Sequence, residues 1–301
     1  MRVSLKEDNI HLPKRIKLAK FAGFCYGVKR AVETVKKLKI ENPDKRICVL
    51  GELIHNTQVI DELNSLGVET LSEIPQSGSG ICVIRSHGAS LEVIEKIQKA
   101  GFDIYDLTCP DVKQVQQKAV ELALNGYFLV IVGKAQHPEV AAIKANVQHY
   151  NNNVIVSDTV EGLIPFEKEL KKYSKIGVVV QTTQMISTLN SIISYLTPIS
   201  KELHIANTIC KSTSMRRAQA QNLACDSDLM VVVGSKKSAN TTHLAQILKD
   251  ITTTIHIETS AELESYTDLI ESSEKISITA GASTPQNVIE QVIKTIERKG
   301  E

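Results

Sequence analysis

The chain has 301 residues, of which 42% are hydrophobic and only 4% aromatic, with no tryptophan. Its 35 basic and 34 acidic residues leave a formal net charge of +1, and no run of like charges offers a footprint for nucleic acid or a membrane surface, so small molecules or proteins are the expected partners. The length exceeds that of a usual single domain and predicts two or three, while no apolar stretch approaches the roughly twenty residues needed to span a bilayer.

In chain order, the opening segment "MRVSLKEDNIHLPKRIKLAK" is basic, but Glu7 and Asp8 and the lack of an apolar core argue against a secretory signal. A cytoplasmic location is expected. The segment "AGFCYGVKRAVETVKKL" places Cys25 just before a helix whose apolar face is Val28, Ala31, Val32, Val35 and Leu38. A buried strand follows at 47–51 ("ICVLG"), then the loop "ELIHNTQ" with His55 and a helix marked by Val59, Ile60, Leu63 and Leu66. The next strand, 81–85 ("ICVIR"), runs into "SHGAS" with His87.

The pattern then restarts. "DLTCPDVKQVQQKAVELALNG" sets Cys109 before a helix that Pro110 suits as a first-turn residue and Asn125-Gly126 as a stop. Strand 128–133 ("FLVIVG") ends in "KAQHPEV", carrying His137 and Glu139, and strand 176–181 ("IGVVVQ") ends in "TTQ", carrying Thr182. A third start, "NTICKSTSMRRAQAQNLA", sets Cys210 before a more polar helix. Strand 229–234 ("LMVVVG") leads to "SKKSANTT" with Ser238 and Asn240, and strand 276–281 ("ISITAG") leads to "ASTPQN" with Ser283.

The order cysteine, strand and loop, strand and loop therefore occurs three times, an internal repeat of architecture. It predicts an α/β fold of three similar domains with binding groups at the carboxyl ends of the strands. The expected limits are an extension at 1–15, domain 1 at 16–108 with residues 16–26 free to pack with domain 3, domain 2 at 109–209 and domain 3 at 210–301.

Each of these cysteines, Cys25, Cys109 and Cys210, precedes a helix, where unpaired N–H groups and the helix dipole favour a thiolate. Three such sites in a repeating chain point to a metal centre. Structural zinc usually takes four ligands in closely spaced pairs, whereas thiolates are the usual ligands of iron-sulfur clusters and three of them leave one iron open. Cys48 and Cys82 lie within aliphatic runs and read as core residues, and Cys225 has no marked context. The loops that carry His55, His87, His137, Thr182, Ser238, Asn240 and Ser283 can bind an anion, particularly phosphate, and no Walker-type loop is present. Glu139 suits a first helical turn after Pro138, and beside a redox-active metal and a bound anion it is a candidate proton donor.

The ordered series "AGFCYGVKRA", "GELIHN", "SHGAS", "TCPDV", "HPEV", "QTT", "VGSKKSAN" and "TAGAS" resembles the 4-hydroxy-3-methylbut-2-enyl diphosphate reductase family over residues 16–298. That resemblance implies a pseudo-threefold, trefoil-like arrangement around one four-iron four-sulfur cluster held by Cys25, Cys109 and Cys210. It implies substrate binding by His55, His87, His137, Thr182, Ser238, Asn240 and Ser283, most of them gripping the diphosphate, and proton donation by Glu139. The implied reaction is the last step of the methylerythritol phosphate route to isoprenoids, with the substrate's alcohol oxygen on the open iron and a reduced ferredoxin or flavodoxin as electron donor.

Three positions depart from the family's usual pattern. Ala239 stands where a second serine is common, "KSTSMRRAQ" replaces a threonine-rich run, and Arg85 replaces a small or apolar residue and adds positive charge near the anion. Two other readings are a quinolinate synthase, which also uses three cysteines and three domains but different motifs, and a non-catalytic cluster protein that senses iron or oxygen.

Overall fold

In the computed structural model, which describes residues 15–300, the apolar runs form the inner strands of three parallel sheets of four strands each. The chain opens with β1 (Arg15–Leu18), α1 (Tyr26–Glu41), β2 (Ile47–Leu50), α2 (Thr57–Ser65), β3 (Val68–Leu71), β4 (Ile81–Ile84), α3 (Leu91–Lys99) and β5 (Asp103–Asp106). It continues through α4 (Pro110–Leu124), β6 (Phe128–Val132), α5 (Pro138–Gln148), β7 (Val154–Ser157), the short α6 (Glu167–Leu170), β8 (Lys175–Val180), α7 (Ile186–Leu196) and β9 (Glu202–Ala206). The last stretch holds α8 (Lys211–Ala224), β10 (Leu229–Val233), α9 (Ala239–Lys249), β11 (Thr254–Ile257), α10 (Thr267–Ser272), β12 (Lys275–Ala280) and α11 (Gln286–Gly300). The expected extension lies, up to residue 14, outside the described residues.

The sheet orders are β3-β2-β4-β5, β7-β6-β8-β9 and β1-β12-β10-β11. They share one plan: two inner strands, with the chain moving outward from each. In the third sheet the position matching β5 and β9 is filled by β1, paired in parallel with β12 from Arg15↔Lys275 to Leu18↔Ile278. Each of Cys25, Cys109 and Cys210 thus follows the outermost strand of one sheet and precedes the helix that leads to the next.

All six strands expected from the apolar runs are present, and they are the inner pairs. Their bounds shift by about one residue, because the final glycine or polar residue already belongs to the loop. The six outer strands escape the sequence pattern. β5, "DIYD", has no fully buried residue, and β3, "VETL", has only Val68. An inner strand of a parallel sheet is covered on both faces and must be apolar throughout; an outer strand need not be.

By internal contacts the chain divides into two units. One is Cys25–Met215, with the first two sheets; the other is, among the described residues, 15–24 together with 216–300, with the third. In the first, Phe128, Val130, Val132, Ile176 and Val178 are buried on one face of the second sheet and Leu129, Ile131 and Val179 on the other. In the second, Val231, Val233, Ile276 and Ile278 form the centre of a core closed by α11. The polar α8 buries little beyond Arg216, Ala220 and Ala224. Arg216 stabilises the unit by donating to Ala280 O at 2.7 Å and Gly23 O at 2.7 Å, so the guanidinium ties the end of β12 to the segment after β1. Such bonds from a buried cation satisfy carbonyls that would otherwise be left without donors.

Candidate active site

The expected binding residues occupy matching positions on the repeated plan. His55, His137 and Ser238 each stand five residues beyond the end of β2, β6 and β10, while His87 and Ser283 stand three beyond β4 and β12 and Thr182 stands two beyond β8. His137 and Ser238 cap their helices: His137 Nδ1 accepts from Glu139 N at 3.3 Å and Ser238 Oγ from Thr241 N at 3.4 Å. On α2 that task falls to Asn56, whose side chain accepts from Val59 N at 3.1 Å, which leaves His55 for other contacts.

Within the first unit the three histidines meet. The His55 and His87 rings are 5.2 Å apart between centroids, and those of His87 and His137 are 5.5 Å apart and edge-on. Burial, with His137, Arg85 and His55 as further positive neighbours, holds His87 well below the ordinary histidine pKa. Burial likewise lowers His137 to about 4, aided by His55, Arg85 and Lys134. The charges of these neighbours oppose protonation of His87 and His137, so an incoming anion would favour it. His55 Nδ1 is 3.0 Å from Glu52 Oε2, which orients that ring. Among the described residues His87 Nδ1 is buried without a hydrogen-bond partner, as is Gln116 Nε2, which a Cβ on Gly88 would approach to 2.6 Å.

Glu139 is 1% exposed on the first turn of α5. Thr182 donates to both of its oxygens, from N to Oε1 at 2.6 Å and from Oγ1 to Oε2 at 2.8 Å. Burial pushes the carboxyl up to about 7 although the bonds from Thr182 favour its charged form, and the charge of Asp111 raises it further. Thr182, expected to bind an anion, thus directs its donors at Glu139.

The three candidate ligands, Cys25, Cys109 and Cys210, are all partly exposed free thiols of the first unit. Cys25 and Cys109 are the N-caps of α1 and α4, and Cys210 directly precedes α8. The two later cysteines are anchored alike: Cys109 N donates to Ser86 O at 3.0 Å and Cys210 N to Thr182 O at 2.8 Å, in each case the loop residue two beyond an inner strand. Burial raises both thiols, opposed by backbone N–H bonds from Asp111 and Val112 to Cys109 and from Thr213 to Cys210. Cys25 lies close enough to Cys210 to add to that rise.

A Cβ on Gly27 would stand 2.8 Å from Cys109 Sγ, so only glycine leaves room for that sulfur beside α1. Among the described residues no three of His, Cys, Asp and Glu converge closely enough to hold a single metal ion. Thiols each placed at its own helix start, with backbone N–H groups aimed at the sulfurs of Cys109 and Cys210, fit a cluster in which every thiolate binds a different metal atom. Cys48 and Cys82 are buried and directly paired across β2 and β4, as core residues.

In the second unit Ser238 and Ser283 are buried, while Asn240 is exposed. Thr241 fills the space between the ends of β10 and β12: a Cβ on Gly281 would meet its Oγ1 at 2.1 Å. The sequence reading missed Asp111, whose charge reaches Glu139, Cys109 and Cys210, and Tyr26, whose hydroxyl is 3.7 Å from Cys109 Sγ. Both stand inside the cysteine segments already singled out, yet nothing in their spacing marks them.

The chain is similar to several known proteins. The 4-hydroxy-3-methylbut-2-enyl diphosphate reductase of Syntrophotalea carbinolica is 39% identical over 283 residues, 94% of this chain and 98% of that protein. The protein of that name from Aquifex aeolicus is 37% identical, covering 93% of this chain and 95% of its own. A longer protein so named from Clostridium tetani is 41% identical over 288 residues, and this chain spans 43% of its length. A solved (E)-4-hydroxy-3-methyl-but-2-enyl diphosphate reductase shares 36% identity at a TM-score of 0.73, covering 95% of this chain and 99% of that one. The Plasmodium falciparum E-1-hydroxy-2-methyl-but-2-enyl-4-diphosphate reductase structure, 24% identical with a TM-score of 0.81, shares the fold. A sequence profile described as LytB protein matches residues 16–297, and the chain belongs to that family.

Proposed function

We propose that this oxidoreductase converts (E)-4-hydroxy-3-methylbut-2-enyl diphosphate to isopentenyl and dimethylallyl diphosphate, the last step of the methylerythritol phosphate route, in the cytoplasm. Its relatives' names support the reaction, and one observation carries the mechanism: Glu139 is buried, gripped by Thr182 and poised to hold a proton near pH 7. The overall change consumes two electrons and two protons and releases the hydroxyl as water. Hydroxide is a poor leaving group, so a positioned acid lowers the barrier. A carboxyl half protonated at neutral pH can both give a proton and regain it.

The residues for the other tasks follow. His87 and His137 present neutral rings that gain charge when a diphosphate arrives, and His55, Ser238, Asn240 and Ser283 are proposed to bind the same group. With Ala239 in that loop, a backbone N–H stands where a hydroxyl would. Cys25, Cys109 and Cys210 would hold a single four-iron four-sulfur cluster, which when bound supplies electrons one at a time and a Lewis-acidic iron. Reduced ferredoxin or flavodoxin is the proposed donor. Domain limits at 108 and 209 also belong to this proposal; they fall in the β5–α4 and β9–α8 connections. No helix among the described residues is long and apolar enough to cross a membrane.

The test uses anaerobically purified protein. Glu139→Gln is expected to keep iron, sulfide and colour while losing turnover by about 10²-fold or more. Cys25→Ser, Cys109→Ser and Cys210→Ser are each expected to lose iron and sulfide. Turnover undiminished in Glu139→Gln would remove the proton-donor role, and a colourless wild type carrying stoichiometric zinc would overturn the cluster.

A further inference from the structure

A cleft of about 640 Å³ opens at the carboxyl ends of β2, β3 and β4, within the first unit. None of the candidate cysteines or histidines lines it, nor does Glu139. It lies where the strand order of the first sheet reverses, since the chain moves outward from β2 to β3 and in the opposite direction from β4 to β5. Open α/β sheets receive ligands at that crevice.

Arg85 lines the cleft. Its guanidinium crosses the end of β2, where a Cβ on Gly51 would stand 2.7 Å from Arg85 Nη1 and where φ of +72° favours glycine independently. Among the described residues no acceptor or carboxylate bonds to this half-buried group. Glu52 attracts it only at longer range and spends its carboxylate on His55. Five N–H donors in a part-buried fork without a partner are uncommon in a folded protein. The other charges at the cleft are Lys96, paired with Glu92 at 2.7 Å, and the exposed Glu73. The apolar part of the lining includes Ile74, Val93, Ala142 and Ala145.

We propose that this cleft is a second anion site that takes the phosphate or diphosphate head of a short aliphatic ester on Arg85, with the chain along Ala142 and Ala145. A guanidinium fork matches phosphate oxygens two at a time. The choice of an aliphatic diphosphate rests on the reaction proposed above, whose substrate and products belong to that class; occupancy of the cleft would then report their concentration to the neighbouring His87 loop.

Titration calorimetry of the anaerobic holoprotein with dimethylallyl diphosphate tests this, with inorganic diphosphate and isovalerate as head-only and carboxylate controls. The wild type should bind two equivalents of the ester. Arg85→Met should weaken one of them at least tenfold, and Ala145→Phe, which fills the cleft from α5 without touching the guanidinium, should do the same. Isovalerate should bind the cleft more weakly than the ester; equal binding would overturn the phosphate preference. A single equivalent in the wild type, or two undiminished equivalents in either variant, would overturn the site. Turnover measured on the same samples separates the two proposals: one equivalent with full turnover overturns only the cleft, and two equivalents without turnover overturn only the reaction.

Discussion

At the scale of single residues, Glu139 and His137 stand two positions apart and titrate in opposite senses for the same cause. Burial raises the carboxyl from 4.5 to about 7 and lowers the imidazole from 6.5 to about 4. Between pH 4.5 and 7 the folded protein holds a Glu139 proton that the unfolded chain has released, so this group's contribution to stability falls as pH rises. His137 works the other way: between pH 4 and 6.5 the unfolded chain binds a proton that the folded state refuses, so stability rises with pH. Glu139→Gln removes only the first slope. The melting temperature of the variant minus that of wild type should therefore increase from pH 4.5 to 7.5, by scanning calorimetry; a flat difference would show an ordinary carboxyl. The "HPEV" stretch showed where this glutamate stands in the chain, but its near-complete burial depends on Thr182, 43 residues away.

At the scale of elements, burial separates strands that the chain treats alike topologically. Ile131, on inner β6, is fully buried, whereas Tyr105, on outer β5, is 41% exposed. Ile131→Ala should cost about 2 to 5 kcal/mol in urea unfolding, through lost burial and the cavity left behind, while Tyr105→Ala should stay within about 0.5 kcal/mol. Similar losses at both would mean that β5 is covered by something the fold does not supply. The contrast also explains which elements could be read in advance. Continuous "FLVIV" and "LMVVV" runs announce strands with two buried faces, but "DIYD" and "ELHIA" carry no such signal and become strands only by pairing with β4 and β8. In α8 the low apolar content is offset by Arg216, whose bonds to two carbonyls do what a hydrophobic stripe does in α4.

For the molecule as a whole, the third sheet is completed by the chain's own beginning. Ile16 pairs with Ile276 in β12 and packs against the core of that sheet, so Ile16→Asp should destabilise it by about 2 to 4 kcal/mol, read as an earlier unfolding transition in urea. An unchanged transition would show that β1 is dispensable. The sequence by itself determined the α/β class, the inner strands, the helix-start cysteines and the ordered motifs, because those depend on local composition and spacing. Only the tertiary structure decided that β1 joins β12, that three histidines from separate loops meet, that Glu139 is nearly sealed from water and that the Arg85 guanidinium has no partner among the described residues. Each of those depends on which distant segments pack together, and a local pattern carries no record of the burial and proximity that result.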